Sequence, residues 1–350
     1  MNIKEGLTFN DVLLVPQYSS LVTRKEVNLS VDLGKGIRLR IPIVSANMSD
    51  VTEWEMAYEM VFHGGLGIIH RFNTINEQVN QLLKAQYVYD RDIMNWGYIG
   101  CAVGIKEEDK KRVKELVKNR CRVICVDVAH AHHEKTGEFV KWVSTNFPDV
   151  LLIAGNVSTS SGAHFLADCG VDVIKCGQGN GSICLTRIET GNGVPQLTAL
   201  DDVCKSKDFM SDKDLVDNKI QRKFKVIADG GLSTVGNCVK ALCFADAVML
   251  GNMLAGTKEA PGEKIEIDGK FYKTYDGSST HRINHVEGVK AHVPYKGHVA
   301  SVISHIKDGL RSGLSYQGCR NLQELKENPQ FVKVTNAGQV ESNAHDVVRE

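Results

Sequence analysis

Eight short apolar runs, most of them closing on a polar or glycine residue, do most to narrow the folds open to this 350-residue chain. They are Ile41–Asn47, Gly67–Arg71, Tyr98–Gly104, Val123–His130, Leu151–Val157, Val173–Gly177, Lys225–Gly231 and Ala247–Asn252. Their apolarity is continuous rather than alternating, which predicts strands buried on both faces, as in a parallel sheet. Amphipathic stretches lie between them. Glu107–Asn119 puts Val113, Leu116 and Val117 on one face; Lys135–Phe147 and Thr159–Cys169 read similarly, the latter with Thr159 or Ser160 as N-cap. Eight strands alternating with helices predict an α/β chain folded as a (β/α)8 TIM barrel. A doubly wound open sheet calls for a Gly-x-Gly-x-x-Gly turn after its first strand, and here that run ends Ser45-Ala46-Asn47-Met48.

A barrel carries its functional residues at the C-terminal ends of its strands. Those ends are Asn47, His70-Arg71, Asp127 with His130, Asn156, the loop Gly177–Thr186, Asp229-Gly230-Gly231 and Gly251-Asn252. In the stretch Gly177–Arg187, three glycines at alternate positions let the backbone approach a ligand closely, Ser182 adds a hydroxyl and Cys184 a thiol. A free thiol is roughly 3% ionised at pH 7, and neighbouring amides, a threonine and an arginine are groups that raise that fraction. Taken alone, the stretch reads equally well as a glycine turn beside a buried cysteine.

The loops after the last two strands are the common phosphate-binding place in a barrel, although glycines there also make tight strand–helix turns. Asp229 suits a ribose diol, to which a carboxylate accepts two hydrogen bonds. Ser182, Gly230 and Gly251 around a phosphate with Asp229 on the sugar describe a nucleoside monophosphate pocket. His70-Arg71 is either a holder of an anionic cofactor or a surface ion pair. Asp127–Glu134 is rich in histidine, but lacks the His-Glu-x-x-His spacing of a metal helix, and reads as lining and capping residues.

Charge balance excludes some partners. The 42 basic and 42 acidic side chains cancel, so no global field recruits nucleic acid or an anionic membrane. No apolar run approaches a membrane span and the first residues do not read as a signal peptide, so a cytoplasmic protein is expected. Ten cysteines without a Cys-x-x-Cys pair read as small core residues in a reducing compartment. Residues 1–350 are expected to form one catalytic domain. Lys205–Lys223 reads as a solvated insertion, and 260–297 as a flap after the last strand, with a hairpin turning at Asp268-Gly269. A helix Val299–Arg311 closes the barrel, and 317–350 is a C-terminal surface segment with little regular structure.

Several motifs are similar to those of the IMP dehydrogenase / GMP reductase family, almost end to end: Leu7–Pro16, Gly177–Arg187 followed by Thr190–Gln196, Ile227–Gly231 and Met249–Gly251. Gly67–Arg71 leads directly toward the helix near Asn76–Ala85, with no room for the regulatory module common in the dehydrogenases. Tyr275–Gly288 lacks their water-activating Arg-Tyr pair, a pattern closest to the shorter bacterial GMP reductases.

The resemblance implies that Cys184 attacks C2 of GMP and that NADPH delivers hydride. Thr186 and His281, the latter at the position of a family glutamate, would handle the protons of the amine. It further implies nucleotide contacts from Ser182, Asp229, Gly230, Gly231, Gly251, Asn252, Tyr275 and Gly277, and cofactor contacts from Arg71, Asp127, Asn156 and Gly179. A potassium ion on the carbonyls of Gly177, Gly179 and Cys184, and a homotetramer, are also implied. Alternatives are an NAD-dependent IMP dehydrogenase without the regulatory module, with His281 or Arg282 in place of the missing pair, and a nucleotide-binding barrel that has lost catalysis.

Overall fold

The computed structural model describes residues 3–92, 98–206, 223–276 and 290–342. All eight apolar runs form strands: β1 (Ile43–Ser45), β2 (Leu66–Ile69), β3 (Ile99–Val103), β4 (Val123–Asp127), β5 (Leu151–Val157), β6 (Val173–Cys176), β7 (Lys225–Asp229) and β8 (Ala247–Leu250). Each pairs in parallel with its neighbours, and β8 returns to β1 through Val248 opposite Ile43, so the sheet closes. The fold is a (β/α)8 barrel. Continuous apolarity has its reason here: nearly every strand residue is buried, inward against the barrel interior or outward against a helix.

The outer layer is α1 (Trp54–Phe62), α2 (Ile75–Asp92), α3 (Glu107–Lys118), α4 (Glu134–Asn146), α5 (Ser160–Asp168), α6 (Gln196–Lys205), α7 (Val235–Leu242) and α8 (Val299–Tyr316). The expected cap of α5 is present, with the Thr159 hydroxyl accepting from the Gly162 amide. Helix α8 runs beyond the expected Arg311, because its buried stripe Ile303, Ile306, Leu310 continues to Leu314. Gly309 and Gly313 let it press on α7; a Cβ at either would come within 2.5 Å of Val235 or Val239.

Sequence periodicity missed the additions at both ends. A hairpin of Val31–Gly34 and Ile37–Leu39 sits at the N-terminal mouth of the barrel, where Lys35 donates to the Val150 carbonyl and pairs with Asp172 at 2.8 Å. The segment read as having little regular structure is corrected across 322–341. It holds a helix, Leu322–Glu327, a strand, Phe331–Lys333, and a helix, Asn336–Glu341. The strand pairs antiparallel with Val12–Leu14, and Phe331 stacks on Phe244 at 5.7 Å.

After β8 the flap appears as an antiparallel sheet of β9 (Lys264–Ile267), β10 (Lys270–Asp276) and β11 (Lys290–Pro294). Its turn is the expected one: Asp268 at φ 49° and Gly269 at φ 72° give the left-handed pair of a type I′ hairpin. Lys264 lies over the rings of Phe271 and Tyr295, at 3.9 and 4.4 Å. Most of the expected insertion Lys205–Lys223, and residues 277–289 of the flap, lie outside the described residues.

Candidate active site

Two adjoining cavities of about 210 and 250 Å³ open at the C-terminal ends of the strands and share Ser182, Asp229, Gly230 and Tyr275 in their walls. One holds Cys184, Thr186, Arg71, Asp127, Asn156 and Gly179. The other holds Gly231, Ser233, Gly251 and Asn252. Every described residue that the resemblance assigns a role therefore lies on one of two connected surfaces, whereas His70, also expected at a strand end, is buried 3.3 Å from Glu53 and lines neither. Gly277 and His281 fall outside the described residues.

The thiol of Cys184 stands 3.2 Å from the Thr186 hydroxyl, and its amide donates to the Gly181 carbonyl. The loop bearing it is tied at both ends. Arg187 donates to the Asn180 side-chain oxygen and, at 2.7 Å, to the Val194 carbonyl. Asn180 in turn donates to Gln196, whose own amide reaches the carbonyls of Cys176 and Asp229. Gly177 makes the close approach that only glycine permits: at φ 145°, an added Cβ would sit 2.0 Å from the Asp229 carbonyl oxygen. Gln178 fixes the outer side, accepting from Ser158 and donating to the Ala129 carbonyl, 3.0 Å from His130 Nδ1.

Beneath the cavities lies a charged residue that strand patterning passed over. Lys175 belongs to β6 and is only 2% exposed. Its ammonium donates to Asp127 at 2.6 Å, and reaches Asn47 at 3.4 Å and Asp229 at 3.5 Å. Gly155 on the adjacent strand leaves room for it, since a Cβ there would meet Lys175 Cβ at 2.5 Å. Burial by itself would pull an ammonium toward neutrality, but the carboxylates of Asp127 and Asp229 hold Lys175 charged. Burial likewise works to raise the Asp127 carboxyl, and Lys175 and Arg71 overcome it and hold the group below its ordinary value. A lysine inside an otherwise apolar parallel strand was the available signal, because such a charge must find partners.

Asn156 is spent internally, its amide donating to the Gly177 carbonyl at 2.8 Å and to Asp229 Oδ2 at 2.9 Å. Burial pushes the Tyr275 phenol up to about 12, so it remains a proton donor beside Ser182. Arg71 has its Nε buried without a hydrogen-bond partner, 3.9 Å from Asp127 at the cavity wall. The histidines play the bland part expected of them, with His133 capping α4 by accepting from the Lys135 amide.

The three carbonyls expected for a potassium ion, those of Gly177, Gly179 and Cys184, lie on the loop after β6. That of Gly177 accepts one hydrogen bond, from Asn156, which leaves it a second lone pair. Among the described residues no group of three or more His, Cys, Asp or Glu side chains could hold a metal. No described helix is long and apolar enough to cross a membrane, and all ten cysteines are free.

Residues 6–345 match the family model described as "IMP dehydrogenase / GMP reductase domain". The chain is 32% identical to an inosine-5'-monophosphate dehydrogenase of Nitrosopumilus maritimus over 486 residues, covering 99% of this chain and 100% of the relative. It is 35% identical to one of Borreliella burgdorferi over 407 residues, covering 98% of each. A GMP reductase of Leishmania donovani is 30% identical over 494 residues, with 99% of this chain and 98% of the relative covered.

Proposed function

We propose, for a chain that belongs to the IMP dehydrogenase / GMP reductase family of oxidoreductases, the reductive deamination of GMP to IMP. The observation that carries this reading is the Cys184 thiol paired with the Thr186 hydroxyl at 3.2 Å, in a cavity continuous with Asp229 and the glycines of the last two strands. Asp229 Oδ2 is held by Asn156 and Lys175, while its Oδ1 takes no hydrogen bond from the described residues and is free for a ribose diol. Ser182, Gly230, Gly251 and Asn252 then face the phosphate, which leaves the purine to extend toward Cys184.

With the nucleotide so placed, Cys184 Sγ bonds to C2 and the C2–N bond to the exocyclic amine breaks, with Thr186 in reach to pass a proton to the departing ammonia. When bound, NADPH supplies the hydride that replaces sulfur at C2. The thiol is then expelled and IMP released; overall GMP, NADPH and two protons give IMP, NADP+ and ammonium. The residues present suit a dinucleotide: Arg71, with its buried unpartnered Nε, offers a cation at the cavity wall, and Asp127 offers a carboxylate beside it.

The names of the Nitrosopumilus and Borreliella relatives favour a second reading, NAD-dependent oxidation of IMP through the same Cys184 adduct followed by hydrolysis. That route needs an activated water, and Tyr275–Gly288 contains no Arg-Tyr pair. Incubation with GMP and NADPH, and separately with IMP and NAD, decides between them. Loss of NADPH absorbance only with GMP is expected. NADH appearing only with IMP would overturn the reductase reading, and silence in both with nucleotide binding retained would point to a barrel without catalysis.

A further inference from the structure

Lys175 connects parts of the site that the proposed reaction keeps separate. Asp127 ends β4 on the side assigned to the cofactor, and Asp229 ends β7 on the side assigned to the nucleotide. Between them stands one ammonium, 2.6 Å from the first carboxylate and 3.5 Å from the second. The other groups facing it are Asn47 at 3.4 Å, from the loop after β1, and the Cys125 thiol of β4. Arg71, at the end of β2, backs only Asp127. Asn156 of β5 backs only Asp229.

From this geometry we infer that Lys175 is a shared counter-ion coupling the nucleotide subsite at Asp229 to the cofactor subsite at Asp127. The inference rests on the functional reading above, which assigns the two carboxylates to two ligands. An ammonium set between two carboxylates leans toward the one it holds at shorter range, here Asp127, and the pull of each is greatest in a site shielded from water. Its stronger claim is now on Asp127. That leaves only a long contact from the ammonium to Asp229 Oδ2, with Oδ1 able to accept from ribose hydroxyls. Removing the Asp127 charge lets the ammonium tighten on Asp229 Oδ2, which neutralises that carboxylate and weakens it as an acceptor for the ribose hydroxyls at Oδ1. Lys175 is thus a positioning residue, acting on substrate through Asp229.

The test measures GMP binding by calorimetry on the whole chain without cofactor. Asp127→Asn, a change on the cofactor side, should weaken GMP binding about fivefold or more. In a Lys175→Met background the same change should alter GMP affinity by less than about twofold, since the carrier of the coupling is gone. Lys175→Arg, which keeps the charge, should restore the effect of Asp127→Asn. The inference is overturned if Asp127→Asn leaves GMP affinity within about twofold while Lys175 is present, or if the full effect survives Lys175→Met. Should Lys175→Met fail to fold, the Asp127→Asn and Lys175→Arg measurements still decide. A wild-type chain that binds neither GMP nor IMP would instead overturn the functional reading, and this inference with it.

Discussion

Thr186 separates binding from chemistry at the scale of single residues. Its hydroxyl touches the Cys184 thiol and lines no part of the cavity proposed for the phosphate, so on the proposed reading Thr186→Val should lower turnover about a hundredfold while leaving GMP affinity nearly unchanged. Calorimetry beside steady-state kinetics checks that split. Asp127 provides a pH test. Its carboxyl is held below the ordinary value when folded, so its contribution to stability is complete above about pH 4 and lost as pH falls through the lowered value. Asp127→Asn should therefore flatten the acid limb of stability against pH, as read by urea unfolding at stepped pH. The individual site residues were legible to different degrees. Cys184, Ser182, Asp229 and Gly251 stand at strand ends, where a barrel must put its chemistry. Lys175, Gln196 and Asn180 were passed over because their work is to hold others, through contacts between positions far apart in the chain.

At the scale of elements, periodicity succeeded wherever burial had one consistent direction. The eight strands and the helices beginning at Glu107, Glu134 and Ser160 fall within three residues of expectation, the largest difference being β4, which ends at Asp127 rather than His130. The N-terminal hairpin and the strand Phe331–Lys333 escaped because they are three or four residues long and only partly apolar, too short to show a period. The flap turn was readable because Asp-Gly is the usual solution to two successive left-handed residues. Gly269, at φ 72°, has open space around it, so Gly269→Ala should cost about 1 kcal/mol through backbone conformation alone. Denaturant unfolding of that variant measures the cost.

Closure of the barrel is what makes a site of these residues. Cys184 follows β6 and Asp229 ends β7, adjacent strands separated by about fifty residues of chain; β8 pairs with β7 to set Gly251 in the cavity it shares with Asp229, and with β1 to close the sheet. The terminal segments belong to the same assembly: Val12–Leu14 pairs with Phe331–Lys333, and Phe331 stacks on Phe244 beyond the end of α7. Phe331→Ala should therefore destabilise the whole molecule by about 2 kcal/mol, its half-buried ring setting the value below that of a full core truncation. Thermal unfolding would show a single transition at lower temperature. On the proposed reading, this closed architecture presents Cys184 to C2 of a purine nucleotide as a covalent nucleophile. Turnover of GMP with NADPH, measured for the wild-type chain and for Cys184→Ala at equal nucleotide occupancy, tests it most directly. A loss of at least about a thousandfold with GMP binding retained is the predicted result, and turnover that survives the substitution would contradict it.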